Sequence, residues 1–118
     1  MAKILVVDDE DSLAEMIGML VEDLGYEPLY AYNGHDALKC LAGEQQLPDL
    51  IISDVMMPQM NGLELVRTLK KHPIYQSIPI ILMSAAGAPA EFAQTVTFIH
   101  KPFDLDLLGD MIERCLDE

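Results

Sequence analysis

The stretch Leu50-Ile51-Ile52-Ser53-Asp54-Val55-Met56-Met57-Pro58 decides how this chain is read. A short apolar run ends abruptly in a carboxylate, then breaks at a proline and at the turn residues Asn61-Gly62. A run of this length between turn signals predicts a fully buried strand of a parallel sheet. Asp54 then stands at the carboxyl end of that strand, where open α/β sheets place their ligands. A carboxylate there is a catalytic group, a metal ligand or a cap on the following turn.

Upstream, Lys3-Ile4-Leu5-Val6-Val7 predicts a second buried strand that runs into Asp8, Asp9, Glu10 and Asp11. A helix follows at once, with Asp11 or Ser12 as its N-cap and Leu13, Met16, Ile17, Leu20, Val21 and Leu24 at helical spacing. Gly25 supplies its stop. Acids at a helix N-terminus are worth about 0.3–1 kcal/mol each. One or two would suffice for that, so four in a row point to a further role.

Glu27 to Tyr32 predicts a more exposed strand, and Asn33-Gly34 turns it into a short helix carrying Ala37, Leu38 and Leu41. Pro48 leads into the strand of Asp54. Beyond the turn, Gly62 to Lys71 predicts a helix with Leu65, Val66 and Leu69 on one face, and Pro73 lies past its end. Pro79 to Met83 reads as a fourth strand ending in Ser84, and Val96 to His100 as a fifth ending in Lys101-Pro102. The last helix starts near Asp104 and carries Leu105, Leu108, Met111, Ile112, Cys115 and Leu116. Strands alternating with helices imply right-handed crossovers and a mostly parallel sheet covered on both faces. The expected fold is a five-stranded, doubly wound α/β domain spanning residues 1–118.

At 118 residues and 51% hydrophobic, the chain suits one globular domain. Its apolar runs are shorter than a membrane span and no signal pattern precedes Lys3, so a cytoplasmic home is expected. A formal charge of −13 argues against direct nucleic-acid binding and is compatible with a cation site and basic protein partners. Cys40 and Cys115 sit in helical patterns without a Cys-x-x-Cys or a nearby histidine pair and read as ordinary packed thiols.

A parallel sheet puts all strand carboxyl ends on one rim, and four of the five strands deliver polar groups there: Asp8 and Asp9, Asp54, Ser84, and Lys101. Three converging carboxylates repel one another, so a hard cation is expected among them, and oxygen ligands with water suit Mg²⁺. A carboxylate held beside Mg²⁺ can attack a phosphoryl group to give an acyl phosphate. Charge on the transferring oxygens is then met by the metal, a lysine and hydroxyl donors, roles that fit Lys101 and Ser84. No histidine or further carboxylate stands in sequence as a base for turnover.

Taken together, Val6-Val7-Asp8-Asp9-Glu10, Asp54-Val55-Met56-Met57-Pro58 with Asn61-Gly62, Ser84-Ala85 and Lys101-Pro102-Phe103 resemble the CheY-like receiver domain of bacterial two-component response regulators. The resemblance covers essentially the whole chain. It implies a flavodoxin-like (βα)5 fold with strand order 2-1-3-4-5. Asp54 matches the phosphorylated aspartate, and Asp8 and Asp9 match the acidic metal-binding pair, with the Met56 backbone carbonyl as a further Mg²⁺ ligand. Ser84 matches the hydroxyl residue that engages the phosphoryl group, Lys101 the lysine that contacts it, and Phe98 the aromatic switch position. The Lys-Pro bond is usually cis in the family. The implied partners are a histidine kinase or histidine phosphotransfer protein, a downstream protein target or an output domain outside this chain, and a phosphorylation-dependent homodimer. The implied role is a phosphoacceptor switch, not a turnover enzyme.

The chain departs from the family after Ser84, where most receivers carry a full helix. Here Ala85 to Pro89 is rich in small residues, and Gly87 and Pro89 disfavour helix. The fourth helix is therefore expected to be short, displaced or irregular, and Ala85 to Gln94 to be the least stable segment. Two other classes compete with the receiver reading. A haloacid-dehalogenase-type phosphatase uses Asp-x-Asp after the first strand, whereas Met56 stands here where the second acid would be. A binding module would keep the fold without the phosphate chemistry.

Overall fold

The computed structural model describes residues 2–43, 46–86, 90–92 and 96–117. Five parallel strands, β1 (Lys3–Val7), β2 (Glu27–Ala31), β3 (Leu50–Asp54), β4 (Ile80–Ser84) and β5 (Thr97–His100), form one sheet in the order β2-β1-β3-β4-β5. The α-helices are α1 (Asp11–Asp23), α2 (Gly34–Gly43), α3 (Gly62–Lys71) and α4 (Leu105–Leu116). This is the doubly wound order expected above.

Side-chain alternation sorts the strands into two cores. Leu5, Val7, Ile51 and Leu82 point towards α2 and α3, where Leu41, Leu65 and Leu69 close over them. Ile4, Val6, Ile52 and Met83 point the other way, towards Ile17 and Val21 of α1 and Leu108 and Ile112 of α4. The three central strands are buried on both faces, which is why their sequences read as continuous apolar runs. Each such side chain withdrawn from water contributes about 1.5–3 kcal/mol.

Local signals fix the helix ends. Asn61 caps α3 with a reciprocal pair of bonds: its Oδ1 accepts from the Glu64 N–H at 2.9 Å, and Glu64 Oε1 accepts from the Asn61 N–H. Gly25, at φ +93°, ends α1 in a left-handed turn in which the Tyr26 N–H reaches the Val21 carbonyl and the Gly25 N–H that of Glu22. The start of α1 differs from expectation. Neither Asp11 nor Ser12 is the N-cap; Glu10 is, in an extended conformation and without a side-chain cap bond. The cause is Asp8, whose Oδ1 accepts from the Glu10 N–H at 2.9 Å and holds that residue out of the helix.

Between β4 and β5 the described residues contain a single 3₁₀ turn, Ala90–Phe92, in place of a fourth helix. The short, irregular connection expected from sequence is present, but Gly87 and Pro89, on which the expectation leaned, lie outside the described residues. The turn is better anchored than its composition promised. Phe92 is buried against the α3 side of the core, and the Val96 N–H donates to its carbonyl. Arg67 of α3 reaches across to pair with Glu91 at 2.6 Å and lies over the Phe92 ring.

Candidate functional site

Register sets the rim. Val7 pairs with Ser53, Asp54 with Met83, and Ser84 with His100. Asp8 is thus one residue past β1 at the level of Asp54, and Lys101 one past β5. The Lys101 N–H donates to the Ser84 carbonyl at 2.9 Å, and the Lys101-Pro102 peptide bond is cis.

The sequence-expected acids converge. Carboxylate oxygens of Asp8, Asp9 and Asp54 lie within 4.8 Å of one another. Asp8 and Asp54 are buried while Asp9 faces solvent. Lys101 closes the other side, its Nζ 3.0 Å from Asp54 Oδ1. Asp8 Oδ2 is fully buried and has no hydrogen-bond partner among the described residues. An orphaned carboxylate oxygen is costly, and here it faces two further carboxylates. Burial pushes the Asp8 carboxyl up to about 6 from 3.8; the Glu10 N–H works against that shift, Asp54 adds to it, Lys101 opposes it and Asp9 adds a little more. An oxygen-only donor set with an unsatisfied anionic oxygen and one solvent-facing acid fits a hard divalent cation that keeps part of its water shell.

Ser84 is buried at the end of β4, and its Oγ accepts from the Ala86 N–H at 3.1 Å, which ties it to the start of the β4–β5 connection. Phe98 is half-buried on β5 opposite Leu82 and packs on the α2/α3 core. Met56 is 77% exposed, so its side chain is not packed over Asp54.

Two features of the loop after Asp54 were not read from the sequence. Gln59 adopts φ +63°, a left-handed conformation costing a non-glycine residue about 1 kcal/mol or more. The signal was Pro58 in front of it, since proline favours the second position of turns whose third position has positive φ. Gly62 passes against the Asp54 carbonyl, where a β-carbon would collide with the oxygen. Nothing in the Asn61-Gly62 pair itself signals this close approach to the strand end.

The sequence matches the response regulator receiver domain family over residues 4–113. The signal receiver domain of a signal transduction histidine kinase from Syntrophus aciditrophicus superposes with a TM-score of 0.89 at 34% identity, covering 99% of this chain and 91% of that one. Chemotaxis protein CheY4 of Vibrio cholerae gives a TM-score of 0.86 at 32% identity, covering 98% and 99%. Response regulator Rre1 of Synechocystis sp. is 33% identical over 119 residues, which are 96% of this chain and 51% of that protein. The chain belongs to the response regulator receiver domain family, in its CheY-like form. It spans about half or less of the length of the curated relatives it matches. Receiver domains are phosphoacceptor signalling switches, and they bind Mg²⁺ at an acidic pocket of the kind formed here by Asp8, Asp9 and Asp54. No described helix is long and apolar enough to cross a membrane.

Proposed function

We propose that residues 1–118 form one receiver domain in which Asp54 accepts a phosphoryl group from a histidine kinase or histidine phosphotransfer protein in the cytoplasm. The observation that carries this reading is the buried Asp54 carboxylate, held 3.0 Å from Lys101 Nζ beside the unsatisfied Asp8 Oδ2. An Asp54 oxygen forms the new bond to phosphorus as the bond to the donor nitrogen breaks, leaving an acyl phosphate. Lys101 orients the carboxylate beforehand and afterwards neutralises a phosphoryl oxygen. The Ser84 hydroxyl, whose oxygen accepts from the Ala86 N–H, donates its O–H to the phosphoryl group, and Phe98 repacks as the chain after Ser84 moves. Asp8, Asp9, Asp54 and the Met56 carbonyl would hold Mg²⁺. When bound, the ion offsets the charge that the phosphoryl oxygens bring to this acidic rim. The modified surface then engages a downstream protein or an output domain.

Intact-mass measurement after treatment with acetyl phosphate tests the assignment. One added phosphoryl group is expected with Mg²⁺, and none with EDTA or in Asp54→Asn. Labelling that survives Asp54→Asn would remove Asp54 from its role. Turnover of a generic phosphomonoester would instead make the chain a phosphatase, although it lacks the second acid such enzymes place two residues after the nucleophile.

A further inference from the structure

Two tyrosines at the β2 edge of the sheet take no part in the rim chemistry. Side chains alternate along β2, so Leu29 packs on the α2/α3 core while Tyr30 and Tyr32 project from the opposite face, beside α1. Tyr30 is 42% and Tyr32 54% exposed. Both are held in place. A β-carbon on Gly18 of α1 would collide with the Tyr30 hydroxyl, so that ring lies against bare helix backbone. Tyr32 is fixed through its main chain, whose N–H donates to Asp36 Oδ2 at 2.9 Å. Side chains two apart on a strand stand about 7 Å from each other, roughly two van der Waals contact distances, which leaves room for one planar group beside the rings.

The helix wall facing them is anionic. Asp11, Glu15, Gly18 and Glu22 stand at i, i+4, i+7 and i+11 of α1, a helix with four acids and no base. This is the flank away from α4: Gly18 faces Tyr30, whereas Leu20, on the other side, faces Gly109. Asp11, Ala14, Glu15, Tyr30 and Tyr32 line a hollow of about 290 Å³. Among the described residues the three α1 acids have no cationic partner. Burial raises the Tyr30 phenol above its ordinary 10.0, and the nearby charges of Glu22 and Glu15 raise it further. Acids alone would mark a solvated face. Two half-exposed rings fixed beside unpaired carboxylates instead have the make-up of a cation receptor. The hollow is at the small end of ligand pockets and suits one side chain rather than a whole enclosed molecule. A guanidinium is planar, stacks on a ring face and can divide its N–H groups between two carboxylates, which an ammonium cannot match. The strand edge itself is guarded. Glu27 donates its N–H to Ala2 on the β1 side, so Pro28, Tyr30 and Tyr32 turn outward; Pro28 has no N–H and that of Tyr32 is taken by Asp36. Contact here therefore runs through side chains.

We propose that the hollow between α1 and the β2 edge receives an arginine side chain of a partner protein. Its guanidinium lies against Tyr30 and Tyr32 and hydrogen-bonds to Asp11 and Glu15. These contacts use neither Asp54 nor the Asp8/Asp9 pair, so the inference stands apart from phosphotransfer.

Amide NMR of the whole chain in saturating Mg²⁺, titrated with an end-blocked Gly-Ser-Arg-Ser-Gly peptide, tests it. The same peptide with lysine or uncharged citrulline in place of arginine, and free arginine, serve as comparisons. The arginine peptide should shift the amides of residues 11–18 and 30–32 saturably. The lysine peptide should bind about threefold or more weaker, and the citrulline peptide should not bind. Free arginine brings its own carboxylate to an acidic wall and should bind no better than the peptide. Tyr32→Leu and Glu15→Gln should each weaken the arginine peptide about threefold or more, whereas Asp110→Asn, on α4, should leave it unchanged. All three variants alter exposed positions, and their own amide spectra verify folding. Several results would each overturn the site: no saturable shifts, shifts centred on Asp8 and Asp9 or spread over every acidic surface, parity of the lysine or citrulline peptide, tighter binding of free arginine, or undiminished binding in either Tyr32→Leu or Glu15→Gln.

Discussion

Gly62 packs directly beneath the Asp54 carbonyl, so the helix that follows the candidate phosphoacceptor is fitted to it backbone against backbone. A β-carbon on Gly62 would strike that oxygen, and it would also lie 3.0 Å from the Val55 Cα. The obstacle is main chain at the end of a fully buried strand, which cannot rotate aside as a flexible side chain would. We expect Gly62→Ala to cost about 2 kcal/mol or more, read as a lower urea midpoint at unchanged slope. It should also slow acetyl phosphate labelling, because any accommodation shifts Asp54. Parental stability in Gly62→Ala would show that the loop yields easily.

The rim acids should make stability depend on pH with a definite sign. The Asp8 carboxyl is held at about 6 in the fold, above its ordinary 3.8, chiefly by burial. The fold therefore favours protonated Asp8. That contribution is complete below about pH 4 and is lost as pH rises through 6, at a cost of up to about 3 kcal/mol. Metal-free Asp8→Asn should lose this decline and exceed the parent in melting temperature at pH 8. Added Mg²⁺ should raise the parent's melting temperature by mass action, and more at pH 8 than at pH 5, where protons compete. Asp9→Ala should blunt the Mg²⁺ response while changing metal-free stability little. If its response is undiminished, Asp9 is not a ligand.

The fold was legible because three strands buried on both faces write themselves as unbroken apolar runs, and because each run stops at a polar rim residue. Asp8, Asp9, Asp54 and Lys101 could be placed together from topology alone, since a parallel sheet leaves them no other edge. What sequence did not give was tertiary in origin. The N-cap of α1 moved to Glu10 because the Asp8 side chain captures its N–H, a bond that no local propensity encodes. The contacts around Phe92 are likewise long-range: it packs into the core on the α3 side, and Arg67, 24 residues before Glu91, pairs with that acid and lies over the Phe92 ring.

That anchoring revises what is expected of the β4–β5 connection. Phe92 is 6% exposed, and its truncation to Ala should cost about 3–5 kcal/mol, as for other buried aromatics. The Arg67–Glu91 pair is half-exposed on both sides and adds little to global stability. Its effect should be local. Arg67→Ala should speed hydrogen exchange at the Val96 amide, which donates to the Phe92 carbonyl, and leave the β3 amides protected. Uniform acceleration across the sheet would mean that the pair supports the whole domain instead.

The last expectation concerns how long a phosphoryl group would stay on Asp54. Hydrolysis needs a water in line with phosphorus, and by resemblance to the family the positions two after the aspartate and two after the hydroxyl residue position that water. They are Met56 and Ala86, and neither side chain can hydrogen-bond water strongly. Met56 is 77% exposed and does not shield the site by packing over it, so the brake is the lack of a polar group, not a lid. Ala86 is exposed as well, and its N–H is bound to Ser84 Oγ, which leaves space at both positions for a polar side chain. We therefore expect slow loss of phosphate after donor removal, and a decay about tenfold or more faster in Met56→Asn/Ala86→Glu. The readout is phosphoprotein fraction against time by intact mass, with Mg²⁺ held constant. A double variant that decays at the parental rate would place the control of hydrolysis in Lys101 and the acidic rim rather than in these two side chains.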